Sequence, residues 1–145
     1  MSLKNVNTTL AAAATLFVLV LGLSYILIPE TLAPGFGLPT WPAGDGGGFL
    51  VTKGIRELAM GLVLGVLLMT GHRRALGWVL LMEAVAPLGD MINVLSHDGS
   101  VATAFGVHCL TSALLATVGL LTLRETGKAR VARESSAATT AARAA

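Results

Sequence analysis

From Thr8 to Ile28, and again from Val101 to Leu123, the chain contains no Asp, Glu, Lys or Arg. As helices, these runs rise ~30 Å or more at ~1.5 Å per residue, which matches the hydrocarbon thickness of a bilayer. The remainder cannot solubilise them. Charged residues make up 12% of the 145 residues and hydrophobic ones 54%, whereas soluble domains carry about a quarter charged residues. The net charge of +2 does not indicate nucleic acid. The basic residues sit in two short segments without an aromatic–basic platform, a pattern that reports membrane topology. The first run is longer than a secretory h-region and leads into Pro29-Glu30 rather than an A-x-A site, so a spanning helix is expected there.

The two middle spans are less clean. Leu58 to Gly71 is uncharged but rises only ~21 Å, so this helix has to extend back through Glu57, Arg56 and Lys53 to cross. The span from Ala75 to Ser96 contains Glu83, Pro87, Asp90 and Asn93, with Trp78 as an interface anchor near one end. The expected fold is therefore all-α: a four-helix transmembrane bundle over residues 1–123, with helices about 8–29, 49–71, 74–96 and 101–123. Lys4, the His72-Arg73-Arg74 turn and the arginines after Leu123 fall on one side, which predicts cytoplasmic N and C termini. Pro34, Pro39, Pro42 and the glycines up to Gly48 make residues 30–48 an extended outer loop, either a lid over the outer mouth or a linker anchored by Trp41. Residues 124–145 form a basic tail expected to be disordered or loosely helical.

This topology brings ionisable groups to one depth. Arg56 and Glu57, Asp90, and His108 each lie ~10 Å from the outer ends of their helices. Lys53 and Glu57 are i,i+4 neighbours, Glu83, Pro87 and Asp90 share a face with Asn93 beside them, and Thr111 and Ser112 extend the polar patch of His108. Unpaired charge in the membrane is costly, so the stripes are expected to meet, with Arg56 pairing Asp90 or Glu57. Lys53 and Arg56 against Glu57, Glu83 and Asp90 leave one negative charge before His108 is counted. Pro87 cannot donate to the Glu83 carbonyl, so a kink is expected there. Gly61-x-x-x-Gly65 permits close helix packing within the chain or between copies. Cys109 is a lone cysteine in an apolar run, no metal ligand set is apparent, and haem would need two placed histidines.

The segments KGIRELAMG (53–61), HRRALGW (72–78) and APLGDMINVL (86–95) carry a resemblance. The chain resembles a family of small four-helix integral membrane proteins of unknown function, found in bacteria and fungi. Those proteins have a Gly-x-Arg-Asp/Glu motif opening the second helix, a Gly-Asp motif late in the third and a His in the fourth. More loosely it is similar to the DoxX-like membrane proteins. The matching positions are Gly54, Arg56 and Glu57, then Gly89 and Asp90, then His108. The resemblance implies the fold and the choice of residues, and no reaction.

The expected function is a polar site near the outer face that binds or transforms a lipophilic small molecule. Asp90, Glu83 and His108 are the candidate acid–base groups, and Arg56, Glu57, Asn93 and Lys53 the candidate substrate contacts. Two alternatives stay open: a non-enzymatic accessory or scaffold protein held by a structural ion-pair network, and a small proton-coupled transporter. The expected setting is a multi-pass protein of the plasma membrane or an endomembrane. Its expected partners are membrane lipid, the lipophilic molecule and a second copy of the chain, with no cofactor.

Overall fold

The computed structural model describes residues 3–144 and, among these, every regular element is helical. The first helix, α1 (Leu3–Leu27), is built from Leu, Val and Ala, and it turns Leu16, Val20, Leu23 and Leu27 outward. Such apolar exposure suits lipid and not water. Residues after Ile28 form a short helix α2 (Pro29–Leu32) and a 3-10 turn (Ala33–Phe36), with a second 3-10 turn at Gly44–Gly47. The stretch expected to be an irregular loop is thus structured in its first part. Its turn closes at Gly37, whose φ of 95° favours glycine, and the Gly37 carbonyl accepts from the Ser100 amide at 2.8 Å.

Next, α3 (Gly48–Met69) lies along α1. Close approach is set by glycine: a Cβ on Gly54 would meet the Gly22 carbonyl oxygen at 2.7 Å and one on Gly61 would meet Leu19 at 2.8 Å. Gly61 and Gly65 therefore face α1 of the same chain. A tight turn with Gly71 at φ 73° leads to α4 (Arg73–Glu83), followed by α5 (Val85–Ser96). The third span breaks at Ala84, one turn before the expected kink. Pro87 has no amide for the Glu83 carbonyl, and the next bond, Leu88 amide to Ala84 carbonyl, is stretched to 3.4 Å. Ser112 Oγ donates to that Ala84 carbonyl at 2.8 Å, tying the break to the last helix.

The last span opens with α6 (Val101–Thr103), N-capped by Ser100, and passes through a π-helical segment (Ala104–Cys109) into α7 (Leu110–Ala144). There the Leu110 amide reaches the Phe105 carbonyl, five residues back. The sequence reading contains no such bulge. α7 packs mainly on α4, where Gly77 and Gly119 face each other as Gly22 and Gly54 do. Leu64, Leu76, Leu80, Ala84, Leu115, Val118 and Ala11 form the core between the two pairs. The tail expected to be disordered or loosely helical is helical through Ala144, as its Ala and Arg content favours and the Arg130–Glu134 pair supports.

Among the described residues, three helical stretches could cross a membrane by length and composition: Lys4–Leu27, Arg73–Ser96 and Val101–Arg143. This is the mark of a membrane protein. α3 has the length, with 22 residues rising ~33 Å, but it carries Lys53, Arg56 and Glu57.

Candidate functional site

The charged turn of α3 is turned by its glycines. With Gly54 and Gly61 against α1, the adjacent face carries Lys53, Glu57 and Met60, which all border a cavity of about 190 Å³. α4 and α5 contribute Glu83, Pro87 and Asp90 to the same cavity. His108, Thr111 and Leu115 close it from the last span, and Phe17, Val18 and Tyr25 from α1. Leu32, Gly35 and Phe36 cross over it as a strap. Polar groups from separate helices thus face one space walled mostly by apolar side chains.

Lys53 is its hub. Nζ donates to Glu57 Oε1 at 3.0 Å and to Asp90 Oδ2 at 3.3 Å. It also stands 5.6 Å from the Tyr25 ring centre and 5.2 Å from that of Phe36, a cation–π arrangement. The three ion-pair partners keep 22–29% of their side-chain surface open, so the cluster is sheltered without being sealed.

Glu83 differs from them. It is 4% exposed, and its Oε1 is buried with no hydrogen-bond partner. Placing a carboxyl in an apolar wall without a donor costs free energy on the order of a few kcal/mol, and nothing among the described residues offsets that cost. His108, 7% exposed, sits inside the π segment. Its Nε2 lies 2.8 Å from the Phe36 carbonyl oxygen. A carbonyl can only accept, so Nε2 carries the proton and Nδ1 is the ring's remaining polar atom. The imidazole therefore pins the strap across the cavity, with its ring 4.9 Å from that of Phe36. Such bulges place side chains where an α-helix would not, often beside functional sites.

Lys53, Glu57, Glu83, Asp90 and His108 are thus gathered, whereas Arg56 and Asn93 are not. Arg56 is exposed and makes no ion pair among the described residues, so the pairing expected of it is made by Lys53. The reason is angular: consecutive helix residues point ~100° apart, and turning Glu57 inward turns Arg56 out. The Asn93 side chain is exposed, and its backbone carbonyl accepts from Ser96 Oγ and from His97 Nδ1. His97 lies at the surface. Two contributors escaped the sequence reading. Tyr25 and Phe36 look like ordinary apolar-segment residues, and the Phe36 carbonyl is a backbone group that no side-chain pattern reveals.

Away from this site, where α4 begins, lies a second polar cluster. Arg73 Nε and Nη2 donate to the two oxygens of Glu125 at 3.0 and 2.8 Å, and Nη1 donates to Thr8 Oγ1 at 2.8 Å. Asn7 Nδ2 adds a bond to Glu125 at 2.9 Å. Arg73 reads from sequence only as a topology signal. The cluster joins α1, α4 and α7. Among the described residues no group of His, Cys, Asp and Glu has metal-site geometry.

Compared with known proteins, the chain matches nothing among curated proteins and nothing among solved structures. A family model does match, over residues 15–122, and that stretch holds all of the cavity-lining positions. The chain belongs to the DUF4267 family, a domain family of unknown function.

Proposed function

We propose that this protein crosses the membrane four times, α3 included, with both termini cytoplasmic, and uses the cavity near its outer face to hold a lipophilic small molecule for acid–base chemistry. Basic residues on the Lys4, Arg73-Arg74 and Arg124 side support the orientation. The observation that carries the site is Glu83: a buried carboxyl with an unpartnered oxygen, on a cavity with an apolar wall. A group in that state is poised to take a proton or a donor from a guest. Asp90 lies about two turns along the same face, held by Lys53, and suits the partner step of a proton relay. His108 fixes the strap and offers its second nitrogen. Arg56, pointing outward, is suited to lipid headgroups.

The ion pairs of Lys53 favour a second reading, in which the cluster only fixes helix register. The two separate at Glu83. In native nanodiscs, the wild-type protein should retain small lipophilic molecules, detected by mass spectrometry, that Glu83→Gln lacks, with the variant melting no lower than wild type. Equal retention by the two proteins, or a variant that melts well below wild type, would sink the ligand reading and favour the register one.

A further inference from the structure

A second groove runs beside the cavity. It has a volume of about 280 Å³, lies between α1 and the last span, and shares four wall residues with the cavity: Phe17, Val18, Thr111 and Leu115. The two therefore adjoin at these side chains as a two-lobed depression. α1 packs chiefly on α3 and α7 chiefly on α4, which leaves this seam the loosely filled one. Its walls are apolar, and the small residues Ala13 and Ala14 line its floor. From Phe17 to Leu10 it follows ~10 Å of α1, leading away from the charged layer, from mid-span toward the N-terminal end of that helix.

We infer that this depression is the binding site of a single-chain alkyl amine, its ammonium held at Glu83 and Asp90 and its tail in the α1/α7 groove. The inference rests on the ligand reading above and names the ligand's class. Charge selects the head: Glu57 and Asp90 already outnumber one ammonium, that of Lys53, and Glu83 adds a third carboxyl, so the cavity favours a cation and repels an anion. Hydrogen bonding selects it again, because an unpartnered carboxyl oxygen needs a donor, and a primary ammonium supplies three. The Tyr25 and Phe36 rings that flank Lys53 favour cations. Space selects a small head, since about 190 Å³ must take it beneath the strap. A phosphate-bearing lipid head would bring its own anion against these carboxylates. The groove lies toward the N-terminal end of α1, so in the proposed orientation the head sits near mid-span and the tail points to the inner leaflet.

The test uses the full chain in phosphatidylcholine nanodiscs, with protein-free discs correcting for partition. Dodecylamine, dodecanol and dodecanoic acid are titrated and bound ligand is read by native mass spectrometry. Dodecylamine should bind tightest, and Glu83→Gln should weaken it on the order of tenfold to a hundredfold, the range for a hydrogen bond to a charged group. Ala13→Trp, at an exposed groove position, should weaken all three chains while leaving the melting temperature unchanged. Dodecanol or dodecanoic acid binding as tightly as the amine would overturn the amine assignment while leaving a lipophile site standing. Competition by phosphatidylethanolamine at equal strength would assign the site to a lipid headgroup and overturn the free amine. Amine binding unaffected by Ala13→Trp would overturn the groove, and no binding by any probe would overturn both this inference and the reading it rests on.

Discussion

Among the described residues two polar clusters join the helices, and they are finished differently. At one, Arg73 spends all three guanidinium nitrogens on Glu125 and Thr8, and Asn7 completes the carboxylate. At the other, Lys53 bridges Glu57 and Asp90 while Glu83 Oε1 has no donor, and all four line a cavity. The arginine's planar fork matches a carboxylate in two bonds and fixes its angle. An ammonium is a point charge that tolerates rearrangement. The first cluster is thereby suited to clamping helices, and the second to exchanging partners. Only Asn7 Oδ1, fully buried, is left without a partner at the clamp.

Stability measurements can break this contrast. Arg73→Met should cost the most, about 3–5 kcal/mol, because it strands a carboxylate that is only 16% exposed; denaturant midpoints in detergent measure it. Lys53→Met should cost less, about 1.5–3 kcal/mol, since Glu57 and Asp90 retain access to the cavity. A larger loss for Lys53→Met than for Arg73→Met would reverse the assignment of clamp and site. Glu83→Leu should have the opposite sign, raising the melting temperature by a few degrees, on the order of 1 kcal/mol, because no bond is lost and a buried polar group is removed. A drop in that melt would mean the carboxyl has a structural partner after all. Arg56→Gln should move stability by no more than about 0.5 kcal/mol, as expected of an exposed side chain without an ion pair.

Much of this arrangement was legible in the chain. Uncharged runs located α1 and the last span, and helical rise alone put Glu57, Asp90 and His108 in one layer. The choice between Lys53 and Arg56 was not legible, because rotation of α3 is fixed by Gly54 and Gly61 touching α1, a tertiary fact. Pro87 announced a break but not its position at Ala84. The tail's low-complexity composition left disorder and loose helix open, and its Ala and Arg, strong helix formers, favour the helix seen. The Arg73 clamp was hidden because Thr8 and Glu125, which it bonds, and Asn7, which bonds Glu125, lie far from it in sequence, at or just beyond the ends of the apolar runs.

The π segment at Ala104–Cys109 carries a further consequence. One surplus residue in a helix shifts the phase of everything beyond it by ~100°. Upstream, the phase is set by Ser100 bonding Gly37; downstream, by Leu115 and Val118 in the core. The bulge lets both settings hold at once. Deleting Gly106 would force a single phase on the whole span, so that either His108 swings away from Phe36 or the core leucine swings toward lipid. The strap and the core are thus geared through one residue of slack, and the chain's length between Ser100 and Leu115 is as constrained as any side chain in it.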